Sequence, residues 1–405
     1  MHTSYRRKWS LPLAILAGGG LLLSGCAKFD DSAAGQTFSP APVPKAETPP
    51  EAQVPGSDSG DSGSGPAKPG QSPAPVPPPQ GCTDFDKAVI ATCLDTVSAV
   101  AGLPGDGSTP SALAGERKSG RVLLAAAGKK AAEYVTIPVD AGGDGGLTAL
   151  ALSPTYNEDQ LVFAYITTPS DNRVVRFTKG QAAKPVLTGI PKGTTGNRGA
   201  LVSDGKGALL VATGDAGSPA AAADPKSLAG KVLRIDTSGK PAPGNPAAGS
   251  AVFASGLHAP GGLCVSADGA RLWATDRLGD KDVLYRLQAG KTLSTPAWTW
   301  PDKPGLAGCA DFIDSSGLIA IATSLAGNLQ NLPVTPDGSV KGKPNVTLDG
   351  GKKNATFGRL AGMSMINPQL AVAGTVNKEG GKTVSSDDRV VLITVVPSDA
   401  GGGKD

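Results

Sequence analysis

Histidine is nearly absent from this chain, and that scarcity limits its chemistry before anything else does. Two occur in 405 residues, His2 at the extreme N-terminus and His258 within Gly256-Leu257-His258-Ala259-Pro260-Gly261-Gly262-Leu263. His258 could serve as a general base or a ligand if a substrate proton came within hydrogen-bond reach. The competing reading is a partly exposed loop residue without chemistry. A Ser-His-Asp hydrolase would need His258 as its base, and no Gly-x-Ser-x-Gly elbow accompanies it. The glycine run Gly142 to Gly146 lacks the Lys-Ser/Thr and the helix start of a phosphate loop. Five cysteines remain: Cys26, Cys82, Cys93, Cys264 and Cys309. No CxxC spacing exists among them, which together with the missing histidines disfavours a zinc site.

These residues sit among short apolar runs closed by Gly, Asp, Asn or Pro, as strands of a radial β-repeat read. One unit runs Gly262-Leu263-Cys264-Val265, then Arg271 to Thr275, then Asp282 to Leu287. Apolar second strands centre near Leu123, Phe163, Leu210, Trp273, Ile319 and Val372. The centres lie roughly 40 to 60 residues apart, the length of a four-stranded blade with its loops. Dense Gly and Pro punctuation disfavours long helices. The expected fold is all-β, a six-bladed β-propeller with short four-stranded blades over residues 82–397, and a β-sandwich is the rival. A tail, 398–405, follows.

The order and wording of Gly145 to Leu287, about a third of the chain, resemble the soluble quinoprotein glucose/sorbosone dehydrogenase family. That family is a six-bladed propeller that uses pyrroloquinoline quinone (PQQ) to oxidise sugars. The lipobox-like Leu23-Ser24-Gly25-Cys26, the Pro-rich stretch 26–81, Ile137-Pro138-Val139-Asp140 and Trp300-Pro301-Asp302-Lys303-Pro304-Gly305 make the chain resemble most a group of actinobacterial (mycobacterial) lipoproteins of the LppZ type.

The resemblance also implies where the site should lie. The family's His-Asn-Gly-Gly-Arg-Leu loop corresponds to Gly196-Asn197-Arg198-Gly199-Ala200-Leu201, before a strand ending Thr213-Gly214-Asp215-Ala216. Gly196 therefore stands where the family has its proton-accepting histidine, and glycine carries no base. Thr194 and Thr195 offer only hydroxyls, poor bases near neutral pH. The family's Gly-His-Arg-Asn-Pro-Gln-Gly-Leu loop corresponds to Gly256 to Leu263, with His258 at the arginine position and Ala259 at the asparagine position. PQQ carries three carboxylates, so losing an arginine removes a bidentate, permanently charged partner. The family's calcium loop corresponds to Gly279-Asp280-Lys281-Asp282-Val283, where Asp280 and Asp282 are weak Ca²⁺ ligand candidates and Lys281 brings in a cation. Binding candidates are Asn197, Arg198, Asp215, His258 and Arg277. Arg234 is expected to pair with Asp224 or Asp236 in support of the fold.

Residues 1–25 read as a signal peptide. Arg6, Arg7 and Lys8 precede the apolar run Leu11 to Leu23, which at about 13 residues is short of the roughly 20 that span a bilayer. Leu23-Ser24-Gly25-Cys26 resembles the bacterial lipobox, which makes Cys26 a lipidation site; an ordinary signal peptide with a chance cysteine is the rival. Residues 26–81 are rich in Pro, Ser, Gly and Ala and read as a disordered linker, spanning on the order of 40 Å as a coil. An even number of remaining cysteines in an exported chain favours disulfides. Of three pairings, Cys82–Cys93 closing a short loop and Cys264–Cys309 tying neighbouring repeats are the expected ones.

The chain has 38 basic and 35 acidic residues. Once the three basic residues of the signal leave, the charges balance, so nothing draws the chain to nucleic acid. The expectation is a protein lipid-anchored at the extracytoplasmic face of the cell membrane. Its dehydrogenase-like propeller would have lost catalysis and would bind an envelope protein or a carbohydrate ligand. A PQQ-dependent sugar dehydrogenase with His258 as a relocated base is the alternative, and a purely structural envelope protein is the third reading.

Overall fold

Leu209-Leu210-Val211-Ala212-Thr213 is apolar at all but its last position because both faces of the strand are covered. Leu209 and Val211 pack toward the preceding sheet with Phe163 and Val174. Leu210 and Ala212 pack toward the following one with Leu263, Ala274 and Val283. A strand buried on both sides reads as a continuous apolar run instead of an alternating one. The same holds for Val162–Thr167, whose even positions face one neighbour and whose odd positions face the other.

The computed structural model describes residues 51–55, 76–105, 108–351 and 356–395. The signal, Cys26, most of the linker and the tail 398–405 lie outside the described residues. Within them, six antiparallel sheets follow one another as the blades of a propeller. From the axis outward, blade 1 contains Val97–Gly102, Ser111–Glu116, Arg121–Ala126 and Ala132–Thr136. Blade 2 contains Leu147–Leu152, Val162–Thr167, Asn172–Phe177 and Lys184–Ile190. Blade 3 is Gly199–Ser203, Leu209–Thr213, Lys231–Ile235 and Val252–Ser255, and blade 4 is Pro260–Val265, Leu272–Arg277, Asp282–Arg286 and Trp298–Trp300. Blade 5 is Leu306–Phe312, Leu318–Thr323, Leu329–Pro333 and Asn345–Thr347.

Blade 6 differs in how it is completed. Leu360–Asn367, Leu370–Thr375 and Val390–Val395 come from the C-terminal end, while Ala52–Gln53 and Val89–Ala91 pair along the outer edge of Val390–Val395. The ring is thus closed by N-terminal strands. This corrects the expectation that residues 26–81 are disordered throughout. Ala52 and Val54 are buried in the blade 5–6 core, and Thr347 Oγ1 donates to the Ala52 carbonyl at 2.9 Å. Two apolar residues in a long proline-rich stretch are lost when composition is averaged over its length.

The buried apolar side chains fall into six clusters, each shared by two adjacent blades. Burial between blades, not within one, is therefore the source of most of the cohesion. The innermost strands approach backbone to backbone where they contain glycine. A Cβ on Gly308 would strike the Met363 amide, and one on Gly362 would come within 2.7 Å of the Ser98 carbonyl. Both expected disulfides are formed. Cys264–Cys309 joins the innermost strands of blades 4 and 5 inside their shared core.

Two expectations need correction. Leu123 lies on the third strand of blade 1, not the second; the second is Ser111–Glu116. That strand is built of small residues because Leu147 and Leu150 of blade 2 occupy the space beside Gly115, so its apolar pattern is faint. Arg234 pairs with Asp204 at 2.8 Å, not with Asp224 or Asp236. Those two carboxylates instead accept backbone N–H groups of their own turns, from Lys226 and from Ser238 and Lys240 respectively.

Candidate functional site at the channel mouth

All six innermost strands start at the same end of the ring. Residues at their first or second positions, Ser98, Thr148, Gly199, Pro260, Ala307 and Ala361, line one small cavity of about 20 Å³ on the axis. That is room for about one water-sized group. Gly199 and Pro260 belong to the two loops singled out in the sequence, so the fold brings those loops together at this mouth.

The first loop is held by Asp144 and Asn197. Asp144 Oδ2 accepts the Gly196 N–H at 3.1 Å, and Asp144 Oδ1 accepts the Asn197 N–H at 3.1 Å. The Asn197 amide is buried and used within the protein. Its oxygen accepts from Gly193 N at 2.9 Å, and its nitrogen donates to Gly193 O at 2.9 Å and toward Asp144 Oδ1 at 3.3 Å. Asn197 therefore shapes the loop and does not face a ligand. Gly196 has φ +70°, a backbone that side chains rarely adopt. A Cβ there would lie 2.7 Å from Asp215 Oδ1 and 2.7 Å from Gly217 N. Asp215 itself accepts the Gly217 N–H at 2.8 Å, and its own N–H donates to the His258 carbonyl at 2.8 Å, which links the two loops.

The second loop is organised by Asp276, a residue that sequence reasoning missed. Its buried carboxylate accepts the N–H groups of His258, Ala259 and Arg277 at 3.0, 2.8 and 3.1 Å. His258 Nδ1 lies 3.6 Å from Asp276 Oδ2, an ion pair too long for a hydrogen bond, and the imidazole is 45% exposed. Asp276 holds the His258 pKa above its usual value, and burial raises that of Asp276. A carboxylate closing the buried run Trp273-Ala274-Thr275-Asp276 was the available signal.

Three guanidinium groups surround the mouth. Arg117 is paired with Glu379, its Nε 2.7 Å from Oε1, and its Nη1 donates to the Gly145 carbonyl at 2.6 Å. Arg277 donates to the carbonyls of Leu306 and Gly305 at 2.6 and 3.0 Å and to Ser324 Oγ at 2.9 Å. Burial, reinforced by the nearby Arg198 charge, pushes the Arg277 pKa down to about 9. Arg198 lines the cavity and, among the described residues, its guanidinium makes no hydrogen bond or ion pair. Burial lowers its pKa too, against the opposing pull of Asp144 and Glu379. Arg117 and Glu379 come from opposite ends of the chain, so no local pattern announced them.

The two calcium candidates have separate parts. Asp282 is buried and its Oδ2 accepts the N–H groups of Gly305 and Leu306 at 2.7 and 3.0 Å. Asp280 is exposed beside Lys281 Nζ at 3.7 Å. Among the described residues no group of three His, Cys, Asp or Glu side chains is placed to hold a metal.

The family model for glucose/sorbosone dehydrogenases matches residues 99–303, a stretch that holds both loops. The chain belongs to the glucose/sorbosone dehydrogenase family. It is similar to an aldose sugar dehydrogenase of Escherichia coli, YliI, being 28% identical over 181 residues that make up 40% of this chain and 48% of that protein. The matched part thus spans about half the length of that relative. Among solved structures, the PQQ-bound form of the aldose sugar dehydrogenase of Streptomyces coelicolor is 28% identical, with a TM-score of 0.69 over 79% of this chain and all of that one. The soluble aldose sugar dehydrogenase of Escherichia coli in its apo-form shares the fold, with a TM-score of 0.62 at 21% identity over 76% of this chain and 99% of that one. Gly196, Arg198, His258 and Ala259 all lie within the matched stretch.

Proposed function

We propose that this chain is a lipid-anchored envelope protein whose dehydrogenase-type propeller binds a ligand at the channel mouth and has given up sugar oxidation. The observation that carries this reading is Gly196. It sits at the family's base position in a left-handed conformation with Asp215 filling the space a side chain would need. The anchor rests on Cys26 and its lipobox-like context, and the extracytoplasmic location on that and on the paired cysteines.

The residues present do not suit PQQ. The family's base is missing, Ala259 offers no polar contact, and the Arg277 donors are already bound by carbonyls and Ser324. Calcium has no assembled ligand set at Asp280 and Asp282. No reaction step is therefore assigned to either group.

One observation favours a second reading, a sugar dehydrogenase with His258 as base: Asp276 lies behind the imidazole and increases its basicity. The test is dye-coupled oxidation of a sugar panel by the full-length chain in detergent, with PQQ and Ca²⁺ added. The proposal expects no turnover above a protein-free control. Turnover that disappears in His258→Ala would establish the second reading instead.

A further inference from the structure

We infer that the channel mouth is a binding site for a small monocarboxylate, held by the Arg198 guanidinium. This rests on the reading of the mouth as a ligand site that has lost its oxidation chemistry. Of the three guanidinium groups there, Arg117 is neutralised by Glu379 and Arg277 is held by two carbonyls and Ser324. Among the described residues Arg198 alone of the three is without a partner, and it stands where the resembled family's loop has glycine. Asp144, whose charge acts on Arg198, already accepts from the Gly196 and Asn197 amides and the Asn197 side chain. A half-buried guanidinium with no counter-charge in contact is costly, and an anion that supplies one is bound with correspondingly greater strength.

The size and charge of the site narrow the ligand. The cavity admits about one small group below the guanidinium while the rest of the ligand stays in solvent. The planar fork of an arginine matches a carboxylate through two parallel N–H donors. A phosphate dianion would meet Asp144 and Glu379, whose charges also act on Arg198, and one unpaired guanidinium does not offset both repulsions.

The experiment is calorimetric titration of the full-length chain in detergent with acetate and with lactate. Chloride and inorganic phosphate at matched ionic strength serve as comparators, and dye-coupled sugar oxidation with PQQ is followed in the same samples. The expected result is saturable carboxylate binding that weakens at least tenfold in Arg198→Gln and is kept in Lys192→Ala, which removes a cation paired with Asp140 away from the cavity. Circular dichroism and thermal melting confirm that both variants are folded. If the full-length chain binds neither carboxylate, or if Arg198→Gln binds as well as it does, the inference is overturned while the loss-of-oxidation reading stands. Binding of phosphate in preference to carboxylate also overturns it. Sugar turnover with PQQ would remove the reading beneath it.

Discussion

Gly196 and Asp215 exclude each other's alternatives: a β-carbon on the glycine would lie 2.7 Å from Asp215 Oδ1. The carboxylate is fixed by the Gly217 amide at 2.8 Å, so it does not yield easily. Placing a histidine at this position is expected to fail twice, through this clash and through the backbone at φ +70°. Gly196→Ala should cost roughly 1–3 kcal/mol in denaturant unfolding. Gly196→His should remain without sugar turnover when PQQ is supplied. An unfolding midpoint unchanged in Gly196→Ala would show that the loop rearranges freely.

The His258–Asp276 pair gives a pH signature. A histidine whose folded pKa is raised above its unfolded value of ~6.5 stabilises the fold fully below that pH and loses the contribution as pH rises through the folded pKa. The stability difference between the native sequence and His258→Asn should therefore shrink between pH 6 and pH 9. The imidazole is too exposed for a large effect. Proton NMR of the His258 ring should give a midpoint above 6.5 that falls in Asp276→Asn; a midpoint unmoved by that change would mean the pair is not coupled.

Much of this architecture could be read from residues, because each blade's second strand is buried on two faces and announces itself as an apolar run. Phe163, Leu210, Trp273, Ile319 and Val372 all mark second strands. Leu123 failed because the small residues of Ser111–Glu116 left the third strand as the more apolar one. The closing strand Ala52–Gln53 escaped because its pairing partner lies more than three hundred residues away and its own length is two residues. At the site, the aligned loops led to Gly196, Arg198 and His258, which the fold does bring to one end of the ring. Asn197 turned out to be internal support. Asp276, Asp144 and the Arg117–Glu379 pair were invisible, since their importance comes from distance in space and none of them belongs to a recognisable run.

The N-terminal strand makes a prediction about where the folded part begins. A chain starting at Gly81 would lack Ala52 and Val54, both buried against blades 5 and 6. It should be less stable than one starting at Pro49 by about 2 kcal/mol, the burial of a valine and an alanine side chain. Chemical denaturation of the two chains under oxidising conditions measures the difference. Equal midpoints would show that the edge of Val390–Val395 needs no cover from this segment.

The Cys264–Cys309 disulfide closes a separation of 45 residues between two innermost strands. Replacing both cysteines by serine should cost about 4 kcal/mol on chain-entropy grounds. Loss of the buried sulfur packing between Trp273 and Ile321 adds to that. The double variant should unfold at lower denaturant while keeping its far-ultraviolet spectrum. A midpoint matching the native sequence would place the strength of the blade 4–5 joint in its apolar contacts alone.

The most direct test of the central claim is calorimetric titration of the full-length chain with PQQ, with and without Ca²⁺. A mouth built with Gly196, His258 and Ala259 in its two loops and with Arg198 lining its cavity predicts no saturable heat at micromolar concentrations. Saturable micromolar or tighter binding would contradict the account, restore the family's cofactor to this chain and make His258 the residue to replace next.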